Sequence, residues 1–124
     1  MCECDGVPSG GPRGYTGGMT PRIREILAEY RQRLEAIYGP RLKRLVLFGS
    51  QARGDAEPDS DIDVMIVLEG PLDRWAEVQR CGAMNSELCL KHDAVICRVF
   101  ATPEQLERRN RAFYEEVRRE GIAF

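Results

Sequence analysis

A chain of 124 residues fits one compact domain and is expected to hold no second one. Hydrophobic content of 43% with charge content of 31% describes an ordinary globular composition, and a net charge of −2 excludes the basic surface of a general nucleic-acid binder. No apolar run approaches the ~18 residues of a membrane span, no basic-then-apolar secretory signal opens the chain, and the cysteines (Cys2, Cys4, Cys81, Cys89, Cys97) form no CxxC pair, so free thiols in a reducing cytoplasm are expected.

In chain order, residues 1–18 hold half of the twelve glycines and almost nothing to bury. Such a segment cannot offset its own ordering entropy, which predicts a disordered tail, a domain over 19–124 and Met19 as the natural start. Thr20-Pro21 then opens a helix as N-cap and first-turn proline. Ile23, Ile26, Leu27, Tyr30, Leu34 and Ile37 recur at helical spacing along it, and Gly39-Pro40 ends it. Leu42 to Phe48 is read as strand one. Gly49 to Ser60 is mostly loop with one helical turn after Ser50, and Asp61 to Leu68 is strand two. A helix over Leu72 to about Cys89 and a third strand over His92 to Phe100 follow. Thr102, Pro103 and Gln105 then supply a capping signal for a last helix lined by Leu106, Asn110, Phe113 and Val117 and stopped by Gly121. The order α-β-(turn)-β-α-β-α predicts an α/β fold, a small mixed β-sheet with flanking helices.

The chemistry concentrates in Gly49-Ser50, ten intervening residues, then Asp61-Ile62-Asp63. Side chains alternate faces along a strand, so both aspartates point the same way, about 6.5 Å apart along the backbone. Two carboxylates that close, on a strand whose other members are apolar, suit a hard divalent cation such as Mg²⁺. Antiparallel pairing of strands one and two brings Gly49 and Ser50 to the same sheet end, where a glycine permits close backbone approach to a phosphate and Ser50 offers a hydroxyl. A helical crossover to a parallel third strand returns its expected start, with Asp93, to that end.

The run GSQARGDAEPDSDIDVMIV resembles the signature of the polymerase-beta-like nucleotidyltransferase superfamily in its minimal (MNT) branch, over roughly residues 20–124. The resemblance implies that Gly49 and Ser50 hold a nucleoside triphosphate. It implies that Asp61 and Asp63 bind two Mg²⁺ ions, and that Asp93, as a third carboxylate, helps bind metal and deprotonates the attacking hydroxyl. The implied reaction transfers a nucleoside monophosphate, AMP from ATP, to a hydroxyl and releases pyrophosphate. The branch's antitoxins modify a tyrosine on a HEPN-type toxin. A chain this short has no separate acceptor domain, so such a partner is expected to bring the acceptor.

Other readings stand beside these. A non-catalytic antitoxin would neutralise its partner by contact alone; transfer to a small molecule lacks a pocket for the acceptor, and RNA tailing lacks a basic track. Asp55, Glu57, Asp59, Asp61 and Asp63 alternate like a calcium loop, but Val64 and Gly70 stand where the EF-hand glycine and closing glutamate belong. Arg53 either contacts phosphate or pairs with the acidic loop. His92 is read as a plain strand-start residue, and Trp75 and Met84 as core or a partner-facing patch.

Overall fold

Helix α1 (Pro21–Tyr38) starts where its cap directs: Thr20 Oγ1 accepts the Ile23 N–H at 3.2 Å, and Pro21 occupies the first turn. Ile23, Ile26, Leu27, Tyr30, Leu34 and Tyr38 are buried, and Ile37 packs at the margin. Gly39, at φ 56°, turns the chain through a short 3-10 segment into strand β1 (Leu42–Phe48). The computed structural model describes residues 20–54, 56, 60–108 and 111–124. The expected tail over 1–18, Met19, the loop acids Asp55, Glu57 and Asp59, and Asn110 lie outside the described residues.

One helical turn, α2 (Ser50–Arg53), separates β1 from its antiparallel partner β2 (Ile62–Leu68). Helix α3 (Arg74–His92), capped by Asp73, crosses to β3 (Ile96–Ala101), which runs parallel to β2. Helices α4 (Pro103–Arg108) and α5 (Ala112–Glu120) follow, and β4 (Ile122–Ala123) returns antiparallel to β1. The sheet order is β3-β2-β1-β4, a mixed sheet with helices on both faces, as expected.

Strand alternation divides the core in two. Leu45, Leu47, Ile62, Val64, Ile66, Leu68, Ile96 and Phe100 pack on one face with α1 and α3. Val46, Met65, Val67 and Ala101 pack on the other with Leu106, Tyr114 and Val117 of α4 and α5. Each fully buried aliphatic side chain contributes about 1.5–3 kcal/mol. Between α1 and α3, the buried Tyr30 hydroxyl donates to Asn85 Oδ1 at 2.7 Å, and Asn85 donates on to the Ile96 carbonyl at 3.4 Å. The helices are thereby tied to the first residue of β3. No described helix is long and apolar enough to cross a membrane.

Three expectations are corrected. The third strand starts at Ile96, four residues later than expected: α3 continues to His92, and Asp93 is its C-cap at φ 50°, ψ 53°. Aspartate tolerates that left-handed conformation better than most residues. The Arg22 guanidinium, from the start of α1, donates to the carbonyls of His92 and Asp93 at 2.8 and 3.2 Å and satisfies this helix end. The expected single last helix is two, because Arg111 is extended (φ −79°, ψ 145°) ahead of α5. The break lets α4 and α5 pack Leu106, Tyr114 and Val117 onto one sheet face. Finally, β4 was not foreseen. Gly121 does end α5, but what it supplies is space. A Cβ there would lie 2.4 Å from Val46 Cγ1 and 2.5 Å from the Val117 carbonyl oxygen.

Candidate functional site

The pairing of Phe48 with Asp63 places the end of β1 beside the start of β2. Gly49 follows at φ 76°, ψ −156°, a conformation open almost only to glycine. Its bare Cα is where the Asp63 carboxylate rests: a Cβ would stand 2.5 Å from Asp63 Oδ2. Ser50 opens α2, and the N–H groups of Ala52 and Arg53 both turn back to the Gly49 carbonyl at 3.1 Å. Buried Gln51, not singled out in the sequence, donates from Nε2 to the Ser60 carbonyl at 3.2 Å. That bond ties the helical turn to the residue preceding Asp61. So Gly49 and Ser50 do meet Asp61 and Asp63 at one end of the sheet.

By alternation both aspartates lie on the sheet face that carries α4 and α5. Asp63 is half-buried and Asp61 exposed. Burial pushes the Asp63 carboxyl above the usual carboxylate range, the Asp61 charge pushes it further, and the Arg53 guanidinium opposes both. Arg53 itself reaches α5, with ion-pair distances of 3.8 Å to Glu116 and 3.6 Å to Glu120. Two mutually repelling carboxylates are what a bound dication would relieve.

Asp93 lies toward the same sheet end, two residues before Val95, whose carbonyl accepts the Ile62 N–H at 2.8 Å. It is the exposed cap of α3, and the β3 residue in register with Asp63 is Cys97. The Cys97 thiol donates to Asp61 Oδ2 at 3.6 Å. Partial burial raises its pKa first, and the neighbouring Asp61 and Asp63 charges add to that. Among the described residues no group of three or more His, Cys, Asp or Glu side chains is gathered around one metal position. Cys97 escaped the sequence reading because its facing depends on register, and the strand start had been placed four residues early.

His92 is the last residue of α3, and its Nε2 lies 2.9 Å from Glu29 Oε1, beside Lys91 Nζ at 2.8 Å from Glu29 Oε2. It is a helix-end partner of α1. Met84 is core, whereas Trp75 is 69% exposed. Phe113, 40% exposed, meets Phe48 edge-on at 5.5 Å. Phe113 therefore flanks the carboxylate end of the sheet. Trp75, in the first turn of α3, lies toward the opposite end, where Leu42 pairs with Leu68. A groove of about 290 Å³ lined by Arg31, Lys43, Arg44 and Phe124 also lies at that opposite end and adds nothing to the carboxylate site.

Residues 23–121 match the nucleotidyltransferase domain family. A Methanocaldococcus jannaschii protein named as a candidate protein adenylyltransferase is 34% identical over 98 residues, 78% of this chain and 92% of its own. A chain of a toxin–antitoxin complex crystallised with AMP-PNP superposes with a TM-score of 0.51 at 22% identity, covering 82% of this chain and 68% of that one. A chain from the complex of tri-AMPylated Shewanella oneidensis HEPN toxin with its MNT antitoxin gives 0.50 at 17% identity, covering 81% and 70%. At these identities the two structures show a shared fold.

Proposed function

Because the chain belongs to the nucleotidyltransferase domain family, and is thus a nucleotidyltransferase, we propose that it transfers AMP from ATP to a hydroxyl on a protein, namely a tyrosine of a HEPN-type toxin that it neutralises as an antitoxin. The observation that carries this is the meeting of Asp63 with Gly49, which holds a carboxylate against the turn that opens with Ser50. The name of the Methanocaldococcus jannaschii relative supports a protein acceptor and an adenine nucleotide. The AMP-PNP and tri-AMPylated complexes support ATP and a HEPN partner.

The donor chemistry fits a divalent cation: Asp61 and Asp63 offer two like-charged carboxylates on one sheet face, and Arg53 is the nearby countercharge. Asp61 and Asp63 would hold Mg²⁺, which neutralises charge on the triphosphate and on the leaving pyrophosphate. Gly49 lets the backbone approach the phosphates, and Ser50 offers its hydroxyl to them. Arg53, tied to Glu116 and Glu120, tempers the repulsion between the carboxylates. The acceptor oxygen bonds to the α-phosphorus, the bond to pyrophosphate breaks, and the hydroxyl proton leaves to a base. Asp93, which caps α3 two residues before Val95, whose carbonyl accepts the Ile62 N–H at the start of β2, is the carboxylate we propose for that base.

The thiol of Cys97, standing where a third carboxylate was expected to face the pair, favours a second reading: a binder that neutralises its partner by contact alone. Co-expression with the product of the adjacent gene, followed by intact mass measurement of that product, separates the two. One or more added AMP units, lost with Asp61→Asn, are expected. A stable complex without mass gain, despite added ATP and Mg²⁺, establishes the contact reading instead.

A further inference from the structure

Strand β3 is an outer strand of the sheet, and its register decides which backbone groups point outward. The Ile62 N–H donates to the Val95 carbonyl, so Val95, Cys97 and Val99 turn their peptide groups toward β2, while Ile96, Arg98 and Phe100 turn theirs away. Ile96 is already satisfied: its N–H donates to Cys89 Sγ at 3.4 Å, and its carbonyl accepts from Asn85 at 3.4 Å. The N–H and C=O of Arg98 and Phe100 meet no partner among the described residues. The outward face of α3 adjoins this edge, because Arg98 donates to the Val78 carbonyl at 3.2 Å and lies 4.0 Å from where a Gly82 Cβ would stand. Trp75, Val78, Gly82, Ser86 and Leu90 share that face at helical spacing, and none is charged. Of the five large apolar side chains exposed among the described residues, Trp75, Val78, Leu90 and Val95 all fall on this flank, which marks it as an interaction surface.

We propose that the flank pairs with a second copy of this chain. Strand β3 meets its twin antiparallel about a twofold axis at Val99, joining two four-stranded sheets into one, and the two α3 helices pack their uncharged faces together. The register favours a copy over any other occupant. A twofold at Val99 sets Arg98 opposite the copy's Phe100 and Phe100 opposite the copy's Arg98, and each such pair exchanges two N–H···O bonds, so every outward group left open on β3 is satisfied. Each Arg98 then faces a phenylalanine and not its own charge. Gly82 and Ser86 let the helices approach closely, with Trp75, Val78 and Leu90 around them. The stripe, with Val95 and the strand edge, offers on the order of 700 Å², near the about 800 Å² per partner of a stable interface.

The test is sedimentation equilibrium of the full chain from micromolar to hundreds of micromolar. At the upper concentrations the wild type is expected at twice the chain mass of 14.0 kDa. Trp75 is the only tryptophan, so its emission should shift to the blue as the dimer forms. Two variants separate assembly from folding. Arg98→Pro removes an outward N–H and spares the ladder to β2, since proline suits an edge position whose N–H faces solvent. Gly82→Gln favours the helix and meets only Arg98 within one chain, yet fills the space between two helices. Both are expected to associate at least tenfold more weakly, with native circular dichroism. A wild type that stays at the single-chain mass throughout, or variants that assemble as it does, overturn the proposal. A wild type that is monomeric alone, with Trp75 emission shifting only when the product of the adjacent gene is added, assigns the flank to that protein and overturns it equally.

Discussion

Replacing Gly49 by alanine strikes the backbone and the carboxylate site together. At φ 76°, ψ −156° a side chain is strained by about 1–3 kcal/mol. The added methyl also meets Asp63 Oδ2 at 2.5 Å, too close for any real contact, so the Asp63 side chain must rotate away. That rotation costs little stability because Asp63 is only half-buried, but it moves the carboxylate out of place. For a domain of this size, 1 kcal/mol shifts the melting temperature by roughly 4 °C. Gly49→Ala is therefore expected to melt about 4–12 °C below wild type and to lose metal-dependent ATP binding by at least tenfold. Thermal unfolding followed by circular dichroism reads the first effect, and calorimetry well below the variant's melting point reads the second. A variant that melts within 1 °C of wild type and binds ATP normally refutes the close approach between Gly49 and Asp63.

Asp63→Asn should separate stability from binding. Burial and Asp61 raise the folded-state Asp63 pKa, so its stabilising contribution is fully present below the unfolded value of about 3.9 and is lost as pH rises through the raised value. In EDTA at pH 7.5 the asparagine variant is thus expected to be more stable than wild type, by a few tenths to about 1 kcal/mol after solvent screening, with no gain near pH 3. A clear loss of stability at pH 7.5 contradicts this. Tyr30→Phe strips the buried Asn85 oxygen of its donor and should cost about 1–3 kcal/mol in urea unfolding; no change in the midpoint would mean the bond contributes nothing. Leu88→Ala opens a cavity between α3 and α1 and should cost about 2–5 kcal/mol by the same measurement. A chain begun at Met19 should melt within a few degrees of the full one.

Much of the architecture was legible because local signals and burial agree. Thr20-Pro21 caps α1, the apolar run from Ile62 to Leu68 defines a strand buried on both faces, and the Thr102–Gln105 box reappears as two reciprocal hydrogen bonds at 3.1 and 3.2 Å. The convergence of Gly49 with the aspartates followed from one antiparallel hairpin. What escaped is nonlocal. The end of α3 is held by Arg22, seventy residues away, so nothing in Lys91-His92-Asp93 alone distinguishes a helix end from a strand start. That one misplacement moved Asp93 onto the strand and hid Cys97. Strand β4 has two residues, too few for any period, and exists through its pairing with Val46 and Leu47.

The central claim, adenylyl transfer through the carboxylate pair, is tested most directly by following the label. The purified chain is mixed with a lysate of its source organism and Mg²⁺ and given ATP carrying radiolabel on either the α- or the γ-phosphate. Labelled protein bands are then compared between wild type and Asp61→Asn. Transfer of α-label but not γ-label to a discrete protein, absent with Asp61→Asn, is the expected result. Label arriving from the γ-phosphate, label from neither position, or α-label undiminished by Asp61→Asn would contradict it.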